Sequence, residues 1–288
     1  MPSSIPGPRP TDAISGDLPG LKLAVQEQWL PGDTMDVKWE AAVAYGFDAI
    51  ELRGKGDHAL RDRLPGLLAA QRRGVVMPTV CVEMDHFIGD FDADRRADAL
   101  ANMTSQLEVV GALGGVGAMT PAAWGMFSRR LPPFTPPRTE AEDREVLLEA
   151  LSRLGEVATR EGVAILLEPL NRYEDHMVNT LGQAAELATA TGLASVQVGA
   201  DTYHMNIEEA DPSAALRAIA DRLGHVQLSD SNRLEPGAGH LDWTALFRDL
   251  AEMGYDGVLA FECRLSGEAA DVLPRATAML KAALGGGA

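Results

Sequence analysis

The sequence predicts a single (β/α)8 TIM barrel, and three observations lead to it. Short apolar runs recur eight times along the chain, and amphipathic helical patterning separates them. Strands that alternate with helices pair in parallel, because parallel neighbours need long crossover connections. Finally, 288 residues fit one closed barrel of about 250 residues with short extensions. No GxGxxG opens a helix after the first strand, which argues against an open dinucleotide-binding sheet.

The strands are expected in order. LKLAVQ starts at Leu21, AIEL at Ala49, VMPTVCV at Val76 and GVGAM at Gly115. VAILLE follows at Val163, VQVGAD at Val196, HVQLSD at His225 and GVLAFE at Gly257. Helices are clearest in EDREVLLEALSRLGEVATREG before the fifth strand and DWTALFRDLAEMGY before the eighth. Residues 1–20, rich in Pro, Gly and Ser, read as a flexible tail, and residues 21–284 as the catalytic domain. The longest loop, Thr120 to Arg138, has the length of a lid, and its Trp124, Phe127 and Arg129 are placed to cover a ligand.

Composition narrows the function. The chain is 46% hydrophobic with a net charge of -17. Phosphate backbones are bound through Lys and Arg, so nucleic acid is not an expected partner. No leader or membrane-spanning pattern is present, and the expected location is the cytoplasm. Cys81 and Cys263 lie far apart in apolar runs and form no CxxC pair, so neither a disulfide scaffold nor a structural zinc site is expected.

The strand ends carry the chemistry. The fifth strand ends in Glu168, the sixth in Asp201 and the eighth in Glu262, while the seventh carries His225 and Gln227. Barrel active sites collect at the C-terminal ends of strands. Strand side chains alternate between faces, which puts Glu168 with Leu166, Asp201 with Gly199 and Glu262 with Ala260, all facing inward. Carboxylates gathered in a buried mouth repel one another unless they are protonated or neutralised by a cation. Oxygen ligands favour Mg²⁺ or Mn²⁺, and a nitrogen ligand moves the preference toward Mn²⁺, Co²⁺ or Zn²⁺. Glu51 also has inward parity, with a salt bridge to an Arg as the competing expectation. His86 falls near the mouth, His176 follows the fifth strand, and His58 and His240 hold loop positions.

The segments LLEPLNRYEDHMVNT, GADTYHMNIEE, GHVQLSDSNRLEPGAGHLDW and LAFEC resemble the xylose-isomerase-like barrel superfamily of sugar isomerases and epimerases. The closest patterns are those of hydroxypyruvate isomerase and the D-tagatose/D-psicose 3-epimerases. This resemblance implies that Glu168 and Glu262 are both metal ligands and the acid/base pair. It implies Asp201 as the next ligand, and His204, Glu174 and Arg233 as substrate-binding groups, with His86 and Trp124 as further candidates. For the fourth ligand the epimerases read GHxH, whereas this chain has Gln227 where the second His would stand. Gln227 is the favoured ligand and His225 the rival.

The implied reaction is proton transfer. A proton next to a carbonyl becomes acidic when a cation polarises the oxygen and the enediolate is stabilised. One carboxylate removes it and the other returns it, giving epimerisation or isomerisation. A homo-oligomer, dimer or tetramer, is the expected assembly. The rival within the fold is a metal-dependent lyase of the C-glycoside-cleaving type acting on 3-keto-sugar conjugates, for which a second subunit is expected. An apurinic-site endonuclease would need many His ligands, and the chain has six His in all. A non-catalytic metal-binding protein would not need Glu168, Glu262, His204 and Arg233 together.

Overall fold

The computed structural model describes residues 21–127 and 135–285. The tail expected over residues 1–20 and Arg129 of the expected lid lie outside the described residues. The strands are β1 (Lys22–Gln26), β2 (Ala49–Lys55), β3 (Thr79–Glu83), β4 (Gly117–Pro121), β5 (Ala164–Glu168), β6 (Val196–Asp201), β7 (Leu223–Leu228) and β8 (Val258–Phe261). They are parallel throughout and close in sequence order, β8 pairing with β1 through Ala24 and Ala260. The helices are α1 (Met35–Ala44), α2 (Ala59–Asp62), α3 (Leu64–Arg72), α4 (Ala93–Ala112), α5 (Glu140–Glu161), α6 (Leu181–Ala190), α7 (Thr202–Glu208), α8 (Pro212–Ala218), α9 (Trp243–Glu252) and α10 (Ala269–Gly285). Among the described residues no helix is long and apolar enough to cross a membrane.

Local chemistry explains most boundaries. Thr139 and Glu142 form a reciprocal capping box at the start of α5, and Thr180 and Gln183 form another at α6. Gly162 ends α5 in the left-handed conformation that a side chain disfavours. β3 begins at Thr79 rather than at Val76, because Pro78 has no N–H to donate to a ladder. β2 runs past Leu52 to Lys55, since Arg53 and Lys55 find partners in Cys81 and Glu83.

Most apolar burial lies between strands and helices, in one continuous core. Inside the barrel the apolar layer is thinner: Ala24, Ala49, Val258 and Ala260 on one side, Met119, Ala164 and Leu166 on the other. Gly199 lets Met119 pack against β6, since a Cβ would stand 2.7 Å from the Met119 sulfur and push that side chain aside. On the outer face of β8, Phe261 meets Phe47 edge-on at 4.9 Å between ring centroids. Phe261→Ala is expected to cost about 3–5 kcal/mol, read as a lowered denaturant midpoint with an unchanged m value. A loss below about 1 kcal/mol, the size of a well-tolerated core swap, would contradict this packing.

Candidate active site

A cavity of about 980 Å³ opens at the C-terminal ends of the strands. Glu168, Glu174, Trp124, His204, Arg233, Glu262 and His86 all line it. Asp201 and Gln227 lie just beneath, fully buried. Glu168, Asp201 and His204 each place one ligand atom within 4.8 Å of the others.

Asp201 has two roles in the fold. Its Oδ1 accepts the N–H groups of Tyr203 and His204 and so caps α7. Its Oδ2 accepts from Arg233 at 2.6 Å. Arg233 also places Nη2 3.1 Å from Glu262 Oε2, an ion-pair contact outside hydrogen-bond geometry, and lies over the Tyr203 ring. The Arg233 backbone has φ of 63°, a left-handed conformation that a long side chain rarely adopts. The loop after β7 enforces it. Asp230 accepts N–H groups from Ser231, Gly237 and Leu241 and from the Trp243 indole, and Arg233 N–H donates to the Asp230 carbonyl.

His204 is oriented from behind. Its Nδ1 accepts the Asn171 backbone N–H at 3.0 Å, which leaves the proton on Nε2, 3.7 Å from Glu168 Oε1. Burial, outweighing Asp201, lowers the pKa of His204 and favours this neutral form. The Asn171 amide also donates to Glu174 Oε1, and Trp124 Nε1 donates to Glu174 Oε2 at 3.1 Å. His86 is braced differently, with Nδ1 2.8 Å from Asp98.

Beneath the mouth Glu51 is fully buried and, among the described residues, forms no salt bridge to an Arg. Its carboxylate accepts from Gln26 Nε2, Thr79 Oγ1, His225 Nε2 and Gln227 Nε2, at 2.8–3.1 Å. Burial pushes the Glu51 carboxyl up, but these donors, His225 first, outweigh it and hold it below the usual range. His225 therefore spends Nε2 on Glu51. Gln227 spends its N–H on Glu51 too, and its Oε1 is left buried without a donor. His176 sits apart, with Nε2 3.2 Å from Asp143 and its ring against Phe91 and Phe127.

The electrostatics favour a cation. Burial, then the neighbouring Glu262 and Asp201, pushes the Glu168 carboxyl well above its usual range. Burial also pushes Glu262 up to about 8, against the pull of Arg233. Asp201 is held low because Arg233 and His204 outweigh its burial. Glu168, Asp201 and Glu262 gather around the Arg233 guanidinium, which among the described residues leaves two negative charges uncompensated when all three are ionised. Glu168 Oε1, Glu262 Oε2 and Gln227 Oε1 are buried oxygens with no hydrogen-bond donor. Such orphaned acceptors are rare in native proteins, and a divalent cation would satisfy the oxygens and the charge together.

Three groups in or behind the mouth escaped the sequence. Asn171 was signalled only by its place three residues before Glu174. Cys81 read as an apolar strand residue, although alternation with Thr79 would have turned it inward. Its thiol lies 3.7 Å from Glu262 Oε1, and burial and that carboxylate keep it neutral and unreactive. Tyr203, beneath Arg233, carried no motif.

A parallel barrel with carboxylates converging at its C-terminal mouth defines the chain as a TIM barrel with its cavity where enzymes of that fold place their active sites. More particularly, it belongs to the xylose isomerase-like TIM barrel family, which it matches over residues 39–283. It is 40% identical to 3-dehydro-D-guloside 4-epimerase of Escherichia coli, over 86% of this chain and 94% of that one. It is 36% identical to D-psicose 3-epimerase of Enterocloster bolteae, over 48% of this chain and 46% of the relative. Similarity to 2-oxo-tetronate isomerase of Cupriavidus necator is 28% over 79% and 86% of the two chains. Among solved structures, the apo form of 3-keto-D-glucoside 4-epimerase from E. coli superposes with a TM-score of 0.86 at 38% identity, covering 91% of this chain and 99% of that one. D-allulose 3-epimerase from Methylomonas sp., at 24% identity and a TM-score of 0.77, shares the fold. Isomerisation and epimerisation are the reactions these relatives share, and this chain is an enzyme of that class.

Proposed function

We propose that this enzyme is a cation-dependent epimerase that inverts the carbon next to the carbonyl of a 3-keto-glycoside. The observation that carries the reading is the near full-length similarity to the E. coli guloside epimerase, joined to one buried and one partly buried carboxylate in the same mouth. Glu168, Asp201, Gln227 and Glu262 would hold one divalent cation, Mn²⁺ or Mg²⁺, with Co²⁺ and Zn²⁺ as alternatives. Once bound, it supplies Lewis-acid polarisation of the keto oxygen.

The side chains do the rest. One of Glu168 and Glu262 takes the proton from the carbon beside the carbonyl, and the other delivers a proton to the opposite face. His204, with its proton held on Nε2, donates to a substrate oxygen. Arg233 places its charge between Asp201 and Glu262, close to where negative charge develops on the substrate. Glu174, braced by Trp124 and Asn171, accepts from substrate hydroxyls, and His86 contacts the substrate from the far wall. Burial of Glu168, with Glu262 partly buried beside it, limits the access of bulk water to the proton.

The test is epimerisation of a methyl 3-keto-hexoside in D₂O. A two-carboxylate mechanism places deuterium on the inverted carbon of the product, since the delivered proton comes from a group that exchanges with solvent. Product free of deuterium would overturn the two-base arrangement. Release of an aglycone without epimerisation would favour the lyase instead.

The reading extends to a dimer or tetramer in the cytoplasm, with residues 21–284 as the catalytic domain and 1–20 as a tail. Light scattering on a sizing column, and limited proteolysis that trims only the tail, are the corresponding measurements.

A further inference from the structure

We infer that the half of the cavity built from the ends of β1, β2 and β3 is a subsite for a second sugar ring, so that the preferred substrate is a 3-keto disaccharide. This deepens the keto-glycoside reading above and rests on it.

The first argument is space. At about 980 Å³ the cavity lies at the upper end of the range that encloses a drug-sized ligand, about 300–1,000 Å³. The groups that frame a reacting ring, namely Glu174, Trp124, His204 and Arg233 around Glu168 and Glu262, come from the β4 to β8 side. Except for His86, they leave the opposite wall unused. That wall includes Gln28, Arg53, Lys55, Glu83 and His86, together with the acids Asp57, Asp85 and Asp98 and the apolar Met84 and Phe87.

The second argument is chemistry. The wall carries both signs, with Arg53 and Lys55 beside Asp57, Glu83, Asp85 and Asp98, which disfavours an anionic ligand and suits a neutral one rich in hydroxyls. Arg53 is already paired with Glu83 at 2.5 Å and His86 with Asp98 at 2.8 Å. With Nδ1 on Asp98, the His86 ring keeps Nε2 for a ligand. Two buried oxygens on this wall, Gln28 Oε1 and Glu83 Oε2, have no hydrogen-bond donor. Groups that both donate and accept satisfy such a surface, and adjacent sugar hydroxyls do both.

The third argument is rigidity. Gln28 Nε2 donates to Gln26 Oε1 at 2.6 Å, and Gln26 donates in turn to the buried Glu51. Glu27 accepts the Arg53 backbone N–H and both ends of the Arg63 guanidinium, which fixes β2 where Arg53 leaves it. The wall is therefore held before any ligand arrives, which lowers the ordering cost of binding.

The experiment is steady-state kinetics of the Mn²⁺-loaded full chain on three substrates: methyl 3-keto-glucoside, phenyl 3-keto-glucoside and 3-keto-trehalose. Wild-type kcat/KM is expected to be about tenfold or more higher for the disaccharide than for the methyl glycoside, the effect of one or two hydrogen bonds to charged groups. Arg53→Ala and, independently, Glu83→Gln are expected to raise KM for the disaccharide at least about fivefold more than KM for the methyl glycoside. A methyl or phenyl glycoside used as well as the disaccharide would overturn the subsite while leaving the epimerase reading intact. So would a uniform effect of both variants on all three substrates. If no 3-keto-glycoside turns over and a free ketose does, the keto-glycoside reading fails and the subsite falls with it.

Discussion

Glu262→Gln is expected to lower kcat by about 10²–10⁴-fold, the usual cost of removing a general acid or base, in a protein that still folds and still binds Mn²⁺. The amide keeps the shape and one oxygen ligand, so metal affinity falls less than turnover. Stability should not fall, because desolvation and the neighbouring Asp201 disfavour the Glu262 charge before a cation binds. Glu168→Gln should behave in the same way, since its carboxyl is raised by burial and by the same neighbours. The two single losses should not add in the double variant, because each alone breaks the proton path. The measurement is kcat on a 3-keto-glycoside alongside Mn²⁺ titration by calorimetry. Near wild-type turnover by Glu262→Gln would remove it from the acid/base pair. Abolished metal binding would show that the amide does not replace the carboxylate as a ligand, and the lost turnover could then not be assigned to proton transfer.

Chelation should abolish turnover, and Mn²⁺ or Mg²⁺ should restore it, with about one ion bound per chain in protein purified without chelator. Titration of variants then tests the ligand set. Gln227→Ala should weaken Mn²⁺ binding by about tenfold or more, because the only oxygen β7 offers to the mouth is lost. His225→Asn should leave Mn²⁺ affinity within a few-fold and instead lower stability by about 1–3 kcal/mol, the cost of a buried hydrogen bond left unmade. The reasoning lies in Glu51. It takes a hydrogen from both residues, so the His225 ring is turned down into the barrel while the Gln227 amide is turned with its oxygen away from Glu51. The reverse order of effects would make His225 the ligand. Turnover undiminished in fully stripped protein would sink the cation's part altogether.

The barrel and the inward carboxylates were legible in the sequence because both follow from local periodicity. Alternation along VAILLE and GVLAFE sets which residues face the lumen. Once β5 and β8 are strands of a closed barrel, Glu168 and Glu262 have only one direction to point. The loop segments around Glu174, His204 and Arg233 were legible by resemblance rather than by physics.

Closure of the barrel decided what periodicity could not. Glu51 and His225 are 174 residues apart and meet only because β2 and β7 face each other across the lumen. Of the two expectations for Glu51, inward position and a salt bridge to an Arg, that meeting favours the first and makes Glu51 a buried acceptor of four hydrogen bonds. Arg233 reaches Asp201 and Glu262 through a left-handed backbone that the Asp230-anchored turn imposes. No local propensity favours an Arg there. Asp201, read as an inward acid, gives one oxygen to the α7 cap and presents only the other to the mouth. Residue type and strand parity are properties of neighbours in sequence, and the chain determines them by itself. Which oxygen stays unpaired depends on donors brought from distant strands and loops, and that only the tertiary structure decided.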